Sequence, residues 1–158
     1  MKIVLMGVTG CGKTTVGTAL AEKLGITFID SDHLHSEANK KKMSSGIPLN
    51  DSDRQPWLQA VSGTLLRHEN IVVACSALKK SYREKILAGA PTAHFIHLVG
   101  SQELISSRLR KRSHEFMPSE LLDSQFQILE PLEQSEAGKV IGISQSIGEI
   151  VDEITAWL

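Results

Sequence analysis

Residues 7–14 read G-V-T-G-C-G-K-T and match the phosphate-binding loop pattern G-x-x-x-x-G-K-[ST] at every fixed position. The apolar run 2–6 directly before them has the length and β-branched content of a buried strand. Apolar side chains then recur at helical spacing as far as Leu24, and Gly25 is a typical helix C-cap. This start of the chain therefore predicts a strand, a phosphate-binding loop and a helix in direct succession.

The residue types of this loop are those that phosphate binding requires. Its glycines let the backbone turn without Cβ clashes, so that successive N–H groups point into one concavity. The helix that follows adds the positive end of its dipole, Lys13 adds a charge for the β- and γ-phosphates, and Thr14 adds a ligand for Mg²⁺. A ligand-free glycine-rich turn is the alternative, which the flanking strand and helix disfavour. We expect the nucleotide to be bound by Gly7, Val8, Thr9, Gly10, Cys11, Gly12, Lys13, Thr14 and Thr15.

Length and composition exclude several classes of partner. The chain has 158 residues, enough for a single domain, 1–158, whose core needs neither metal nor disulfide. Its formal net charge of −1 argues against nucleic acid or an anionic membrane as partner, and no apolar run approaches the ~18–20 residues that span a bilayer. With two cysteines and no visible signal peptide, we expect a cytoplasmic protein. Its oligomeric state stays open between a monomer and a homodimer.

Strand and helix patterns alternate along the rest of the chain. Short apolar runs predict further strands at 26–29, 71–75, 93–99 and 139–143. Residues 31–68 are expected to form substrate-binding helices, and the polar stretch 112–120 a short lid. Strands that alternate with helices form a parallel sheet with right-handed crossovers. The predicted fold is therefore a three-layer α/β sandwich around a five-stranded parallel sheet.

Missing motifs narrow the class of phosphate-loop protein. The D-x-x-G and N-K-x-D elements of guanine-nucleotide switches do not occur. No later strand ends in the acid with which motor-type ATPases hold Mg²⁺, because the strand ending at Cys75 runs into Ser76. The available acids, Asp30 and Asp32, follow the second strand at the sheet edge where α/β folds bind ligands. With the short chain and an arginine-bearing lid, these features indicate a small-molecule kinase.

Longer segments resemble the gluconate kinase family over nearly the whole chain. They read D-S-D-H-L-H-S-E-A-N-K-K-K-M-S-S-G-I-P-L-N-D-S-D-R-Q-P-W-L at 30–58, C-S-A-L-K-K-S-Y-R at 75–83, and S-R-L-R-K-R, F-M and L-L-x-S-Q-F within 107–126. The resemblance implies the nucleoside/shikimate kinase-like P-loop NTPase fold with a short lid. It also implies ATP-dependent phosphorylation of D-gluconate at its 6-hydroxyl with Mg²⁺. Ser31 stands where the family usually has glycine, and His114-Glu115 where it usually has Gly-His.

Two acids after the second strand are candidates for the proton and metal chemistry. Asp32 is expected to accept or orient the proton of the attacking hydroxyl, with N-capping of the next helix as the alternative. Asp30 is expected to hold Mg²⁺ through water beside Thr14, with a structural role as the alternative. Lys13 and Arg112 complete the expected catalytic set, since both would neutralise charge on the transferring phosphoryl group.

A sugar acid carries a carboxylate, so its pocket needs cations with fork geometry. Arg54 and Arg83 lie in the family-specific segments and are the first candidates, with a solvated helix face as the alternative. Lys79 is a candidate for contact with substrate or phosphates. His35 is expected to hydrogen-bond a substrate hydroxyl, with a structural role as the alternative.

Arg108 and Arg112 lead into the predicted lid. They are four residues apart and therefore share one helix face. A lid delivers charge to a transferring phosphoryl group in this way, so both are expected to contact the ATP phosphates.

Two other functions compete with gluconate phosphorylation. A shikimate kinase also has a phosphate loop, an Asp-x-Asp and an arginine lid, but it is expected to carry Gly-Gly-Gly where this chain has Cys75-Ser76-Ala77. A nucleotide-binding regulator without catalysis is the alternative outside the enzymes, and the complete set of motif residues argues against it.

Overall fold

The computed structural model describes residues 1–112 and 119–158. The strands are β1 (Lys2–Met6), β2 (Thr27–Asp30), β3 (Ile71–Ala74), β4 (Ala93–Val99) and β5 (Gly138–Gly142). The α-helices of this part of the chain are α1 (Lys13–Leu24), α2 (Glu37–Ser44), α3 (Asp51–Arg67), α4 (Lys80–Gly89), α5 (Gln102–Lys111), α6 (Ser119–Ile128) and α7 (Ile147–Trp157). A short 3-10 helix, Ser31–Leu34, leads from β2 towards α2.

The strands form one parallel sheet in the order β2-β3-β1-β4-β5. Successive side chains of the central strand β1 point to opposite faces, as in any strand. Ile3 and Leu5 pack with α1 and α7 on one face, whereas Val4 and Met6 pack with α3 and α4 on the other. Helices thus cover both faces, and the predicted three-layer α/β fold with a five-stranded parallel sheet is confirmed.

Because the sheet is parallel, the loops after β1, β2 and β3 lie together at the carboxyl ends of the strands, which we call this edge of the sheet. The chain moves to one side of β1 for β2 and β3, and crosses to the other side for β4 and β5. Such a reversal is the topological switch point at which open α/β sheets bind ligands. The Gly7 N–H donates to the Ser76 carbonyl at 3.1 Å, so the loops after β1 and β3 are joined at this edge.

Local capping decides where the helices over this edge begin. Ser36 starts α2, since its hydroxyl accepts a hydrogen bond from the Asn39 N–H at 3.1 Å. Asn50 starts α3 with a capping box, in which its side chain accepts from the Asp53 N–H at 2.7 Å and its N–H donates to the Asp53 carboxylate at 3.1 Å. These two caps separate the region into α2 and α3, joined by residues 45–50.

The predicted lid at 112–120 is described only at its two ends. Arg112 is the C-cap of α5, and its N–H donates to the Leu109 carbonyl at 3.2 Å. Ser119 and Glu120 already belong to α6. Residues 113–118, with the departures from the family pattern at His114 and Glu115, lie outside the described residues.

Both cysteines are buried and unpaired. Burial raises the pKa of the Cys75 thiol to about 12, so this side chain packs as a small neutral group in the core. Among residues 1–112 and 119–158, no helix combines the length and the apolar character that crossing a bilayer requires.

Arg83 on α4 lies in the protein interior and not in a ligand site. Its side chain is 0% exposed, and its guanidinium pairs with Glu136, Nε to Oε1 at 2.6 Å and Nη2 to Oε2 at 2.9 Å. Nη1 donates to the carbonyls of Ala77, Leu78 and Glu130 at 3.1 to 3.3 Å. The expectation that Arg83 binds substrate is therefore wrong, because its donors are already used to join the loop after β3 to the segment before β5.

The buried pair makes stability depend on pH. Burial would raise the pKa of Glu136, but hydrogen bonds from Arg83 and from the Glu133 N–H outweigh that effect and keep the pKa below its usual value. A carboxyl group with a lowered folded-state pKa stabilises the fold above its unfolded pKa. That stabilisation is lost as the pH falls through the folded pKa.

Glu136→Gln should lower the free energy of unfolding at pH 7 by about 3–5 kcal/mol, because it leaves the Arg83 charge buried without a counterion. The difference in unfolding free energy between the wild type and the variant should narrow below about pH 4, where protonation removes the Glu136 charge from the wild type. Urea unfolding followed by circular dichroism measures both effects. Glu133→Gln is the matched control, since Glu133 pairs with Lys80 at the surface and should contribute about 0–1 kcal/mol. Equal stability of the two variants would contradict the assignment.

Candidate active site

The loop after β1 has the backbone conformation that the phosphate-loop pattern predicts. Gly7, Gly10 and Gly12 have φ values of 140°, 78° and 98°, in the region that side chains disfavour. A Cβ at Gly7 would also lie only 2.7 Å from the Leu98 carbonyl oxygen. These turns produce the concave arrangement of N–H groups that binds anions.

The start of α1 completes this anion site. Its N-cap, Gly12, offers no side-chain acceptor, and the first turn contains no acidic residue. The first N–H groups of the helix therefore remain available to a phosphate. The Lys13 ammonium lies over the loop, where its Nζ donates to the carbonyls of Gly7 and Val8, both at 2.9 Å. The loop and helix together fit the phosphate tail of a nucleotide.

Thr14 and Asp30 are brought together beside the loop. The Thr14 hydroxyl donates to Asp30 Oδ2 at 2.6 Å, and Asp30 Oδ1 accepts from the Asp32 N–H at 3.0 Å. Asp30 is thus the N-cap of the 3-10 helix, a role that the sequence had left open for Asp32. Across the described residues, no three His, Cys, Asp or Glu side chains cluster to hold a metal by themselves. Mg²⁺ on nucleotide phosphates needs only one or two protein oxygens, which Thr14 and Asp30 fit.

A cavity opens next to the phosphate loop, and we call it the acceptor cavity. Thr9 and Lys13 of the loop form one part of its wall, and residues of the 3-10 helix, α3 and α6 form much of the rest. The predicted site residues that line it are Thr9, Lys13, Asp32, His35 and Arg54.

Arg54 is held in the wall of the acceptor cavity by a chain of hydrogen bonds. Its Nη1 donates to the Leu49 carbonyl at 2.5 Å and to the Tyr82 hydroxyl at 3.1 Å. The Tyr82 hydroxyl in turn donates to Asp51 Oδ1 at 2.5 Å. Within the described part of the chain, Nε and Nη2 have no protein acceptor, so the guanidinium retains donors for a carboxylate in the cavity.

His35 enters the same cavity as a neutral group. Its ring stacks on Trp57 with the centroids 4.3 Å apart and the planes at 14°. Trp57 is fixed in turn, because its Nε1 donates to the Ser31 carbonyl at 2.8 Å. Burial, followed by the charges of Arg54 and Lys40, lowers the pKa of His35 to about 4. At neutral pH His35 can therefore exchange hydrogen bonds with a hydroxyl but adds no positive charge.

Lys79 does not line the acceptor cavity. Its Nζ pairs with Asp51 Oδ1 at 3.2 Å and lies 5.5 Å from the centre of the Tyr82 ring. It borders a neighbouring open depression with Asp51 and Arg54. Lys79 therefore holds Asp51, the last member of the hydrogen-bond chain from Arg54 through Tyr82. The direct contact with the acceptor that the sequence suggested does not follow from this position.

Arg108 and Arg112 lie at the end of α5 and are not among the described residues that line the acceptor cavity. Arg108 is half-buried, and its Nη2 donates to the Ile143 carbonyl at 2.7 Å. Arg112 is exposed at the helix end, immediately before the residues that the structure does not describe. Their predicted contacts with ATP stay a prediction.

Sequence reasoning assigned no role to several residues of the acceptor cavity, among them Ser76, Ser124 and Gln125. Gln125 Oε1 accepts a hydrogen bond from the Thr9 N–H at 2.7 Å, which links α6 directly to the phosphate loop. Gln125 belongs to the family-specific segment L-L-x-S-Q-F, so the sequence marked it as unusual. Nothing in the neighbouring residues indicates that this segment contacts residues 7–14.

Comparison with known proteins gives the same family as the motifs. Residues 9–158 match the family model described as shikimate kinase. A "Probable gluconokinase" of Dictyostelium discoideum is 48% identical, over 99% of this chain and 85% of that protein. The "Thermosensitive gluconokinase" of Escherichia coli (strain K12) is 41% identical, over 95% of this chain and 83% of that protein.

Solved structures of a gluconokinase and a shikimate kinase both share the fold of this chain, but they differ in their sequence identity to it. A gluconokinase from Sinorhizobium meliloti 1021 superposes with a TM-score of 0.92 at 45% identity, covering 98% of this chain and 89% of that one. A shikimate kinase from Bacteroides thetaiotaomicron shares the fold, with a TM-score of 0.72, at only 21% identity. The chain therefore belongs to the gluconokinase family, a branch of the phosphate-loop kinases with the shikimate kinase fold.

Proposed function

We propose that this protein transfers the γ-phosphoryl group of ATP to the 6-hydroxyl of D-gluconate, giving 6-phosphogluconate and ADP in cytoplasmic sugar-acid catabolism. The observation that carries the proposal is a single cavity lined by Lys13 of the phosphate loop, by Asp32 and by Arg54. Relatives at 41–48% identity that bear the name gluconokinase support gluconate as the acceptor. Residues 1–158 act as one catalytic domain in this proposal.

The two ends of gluconate carry different groups, and the cavity offers a partner for each. The Arg54 guanidinium binds the carboxylate, since its remaining donors and fork geometry suit two oxygens. Neutral His35 exchanges a hydrogen bond with a hydroxyl along the chain. With the carboxylate held at Arg54, the distal hydroxyl is directed towards the phosphate loop.

Asp32 and the phosphate loop act on the transferring group. Asp32 accepts or orients the proton of the attacking hydroxyl. Lys13 and the N–H groups of residues 7–15 stabilise the negative charge that spreads over the phosphoryl oxygens. Mg²⁺, when bound, neutralises charge on the β- and γ-phosphates, and Thr14 and Asp30 are the residues that would hold it. We assign Arg108 and Arg112 to the phosphates on closure of a lid at 112–120.

Phosphorylation of shikimate is the nearest alternative, and the turn after β3 argues against it. Ala77 has a φ of 44°, a conformation that glycine adopts more easily than alanine. The backbone of the turn would therefore suit glycine as well and does not separate the two reactions; the difference is Ser76, which lines the acceptor cavity where a shikimate kinase is expected to carry glycine.

A coupled ADP-release assay over gluconate, shikimate and nucleoside monophosphates tests the proposal. Gluconate should give the highest kcat/KM, and Lys13→Ala should abolish that turnover because the charge acting on the phosphates is lost. Circular dichroism should show an unchanged fold in the variant. Preference for shikimate or a nucleotide would overturn the proposed acceptor, whereas ATP binding without turnover on any acceptor would favour a regulator.

Asp32→Asn should lower kcat by about 10²–10⁴-fold and leave KM for ATP nearly unchanged, since it keeps the shape and removes the proton acceptor. Steady-state kinetics with each substrate varied in turn separate the two parameters. Asp123→Asn is the matched control, because Asp123 is exposed on α6 and does not line the cavity. A change in KM for gluconate with kcat unchanged would show that Asp32 binds the substrate and does not act on the proton.

Tyr82→Phe should raise KM for gluconate about fivefold and change kcat little, because it removes one hydrogen bond that orients Arg54 and leaves the cation in place. Arg54→Lys should raise KM further, since the fork itself is lost. Arg67→Lys, an exposed change on the same helix α3, is the control. Wild-type KM in Tyr82→Phe would show that the tyrosine does not position Arg54.

A further inference from the structure

Gln125 lies in the acceptor cavity but takes no part in the chemistry described above. It is half-buried on α6, and its Oε1 accepts a hydrogen bond from the Thr9 N–H at 2.7 Å. Thr9 and Lys13 are the two phosphate-loop residues that line this cavity. The contact therefore lies on the side of the loop that faces the acceptor.

The hydrogen bond fixes which way the amide of Gln125 points. With Oε1 on the Thr9 N–H, the NH₂ group is directed away from the loop, because the flipped amide would set its N–H groups against that of Thr9. In residues 1–112 and 119–158, Nε2 has no protein acceptor within hydrogen-bonding distance. Two donors thus remain in a residue that lines the acceptor cavity.

The chemistry of the cavity indicates what these donors bind. A sugar acid carries a row of hydroxyl oxygens and a carboxylate, all of which accept hydrogen bonds. An uncharged amide donates to such oxygens without adding a negative charge beside the phosphates. A carboxylate of the same length would repel both anionic ligands.

We propose that Gln125 is a specificity-determining residue that binds the acceptor. Its NH₂ group donates to an oxygen of the sugar acid while its carbonyl holds the Thr9 N–H, so that one side chain ties the acceptor to the phosphate loop. This inference rests on the proposed function, since the ligand is the sugar acid of that reaction.

A purely structural role, in which Gln125 only fastens α6 to the loop, makes a different prediction. Gln125→Glu keeps the length of the side chain and the oxygen that accepts from Thr9, so a fastener would be preserved. The same change removes both donors and adds a negative charge. Gln127→Glu is the matched control, because Gln127 is exposed on the same helix and undergoes the same change of charge.

The experiment is steady-state kinetics of the wild type and both variants, with gluconate and ATP varied in turn, and thermal unfolding of each protein. Gln125→Glu should raise KM for gluconate at least about tenfold and KM for ATP by a clearly smaller factor, because its charge acts on both anions whereas the lost donors act only on the sugar acid, and the melting temperature should be unchanged. Gln127→Glu should match the wild type. Gln125→Met lacks donor and acceptor but adds no charge, and it serves if the glutamate variant does not fold: it should raise chiefly KM for gluconate if the NH₂ group binds the acceptor, whereas a lower melting temperature with equal rises in KM for gluconate and KM for ATP would indicate only the fastening role.

Two results would overturn the inference. Wild-type KM for gluconate in a folded Gln125→Glu protein would leave only the fastening role. A rise confined to KM for ATP would place the amide on the nucleotide. Failure of the proposed function is distinguishable from failure of this inference, because it would appear in the wild type across the acceptor panel. The variants are then measured with whichever sugar acid the wild type uses.

Discussion

The backbone of residues 7–14 has to present several N–H groups to one anion, and the surrounding structure meets that requirement. A loop with repeated positive φ values has little stability of its own, so it needs rigid supports on all sides. It starts from β1 at the centre of the sheet and is joined to the loop after β3 by the Gly7–Ser76 hydrogen bond. On the other side α5 packs against it so closely that a Cβ at Gly10 would lie 2.9 Å from the Leu109 side chain. The position of α5 is therefore set by its contact with the loop.

Among the described residues that line the acceptor cavity, the cations are Lys13 of the phosphate loop and Arg54, and Arg54 is the one with fork geometry. Hydrogen bonds from Tyr82 and Lys79 lower the pKa of Asp51, which therefore stays ionised and holds both partners. Lys79 is thereby paired, whereas Arg54 uses only Nη1 on protein oxygens in the described part of the chain. Because His35 is neutral, the cavity presents the Arg54 fork and the Lys13 ammonium rather than a diffuse positive field. Such an arrangement distinguishes a carboxylate by its geometry.

The departure from the family pattern at Ser31 leaves this arrangement intact. Ser31 acts on the site through its backbone carbonyl, which accepts from Trp57 Nε1, and Trp57 then supports the ring of His35. A glycine would provide the same carbonyl. The serine side chain is fully buried beneath the site and does not line the cavity.

The sequence by itself determined what depends on near neighbours in the chain. The phosphate loop, the five strands to within a residue or two, and the placement of Asp32 after β2 follow from local spacing, glycine content and hydrophobic period, whereas Arg54 was named from the segment that resembles the gluconate kinase family. Only the tertiary structure decided which charges face a ligand, because the deciding partners are distant in sequence. Arg83 is withdrawn into the core by Glu136, Lys79 is paired with Asp51, and Gln125 is brought to Thr9 by the packing of α6 on the loop. A cation or amide binds substrate only when no closer protein group has taken its hydrogen bonds, and sequence patterns carry no record of those long-range contacts.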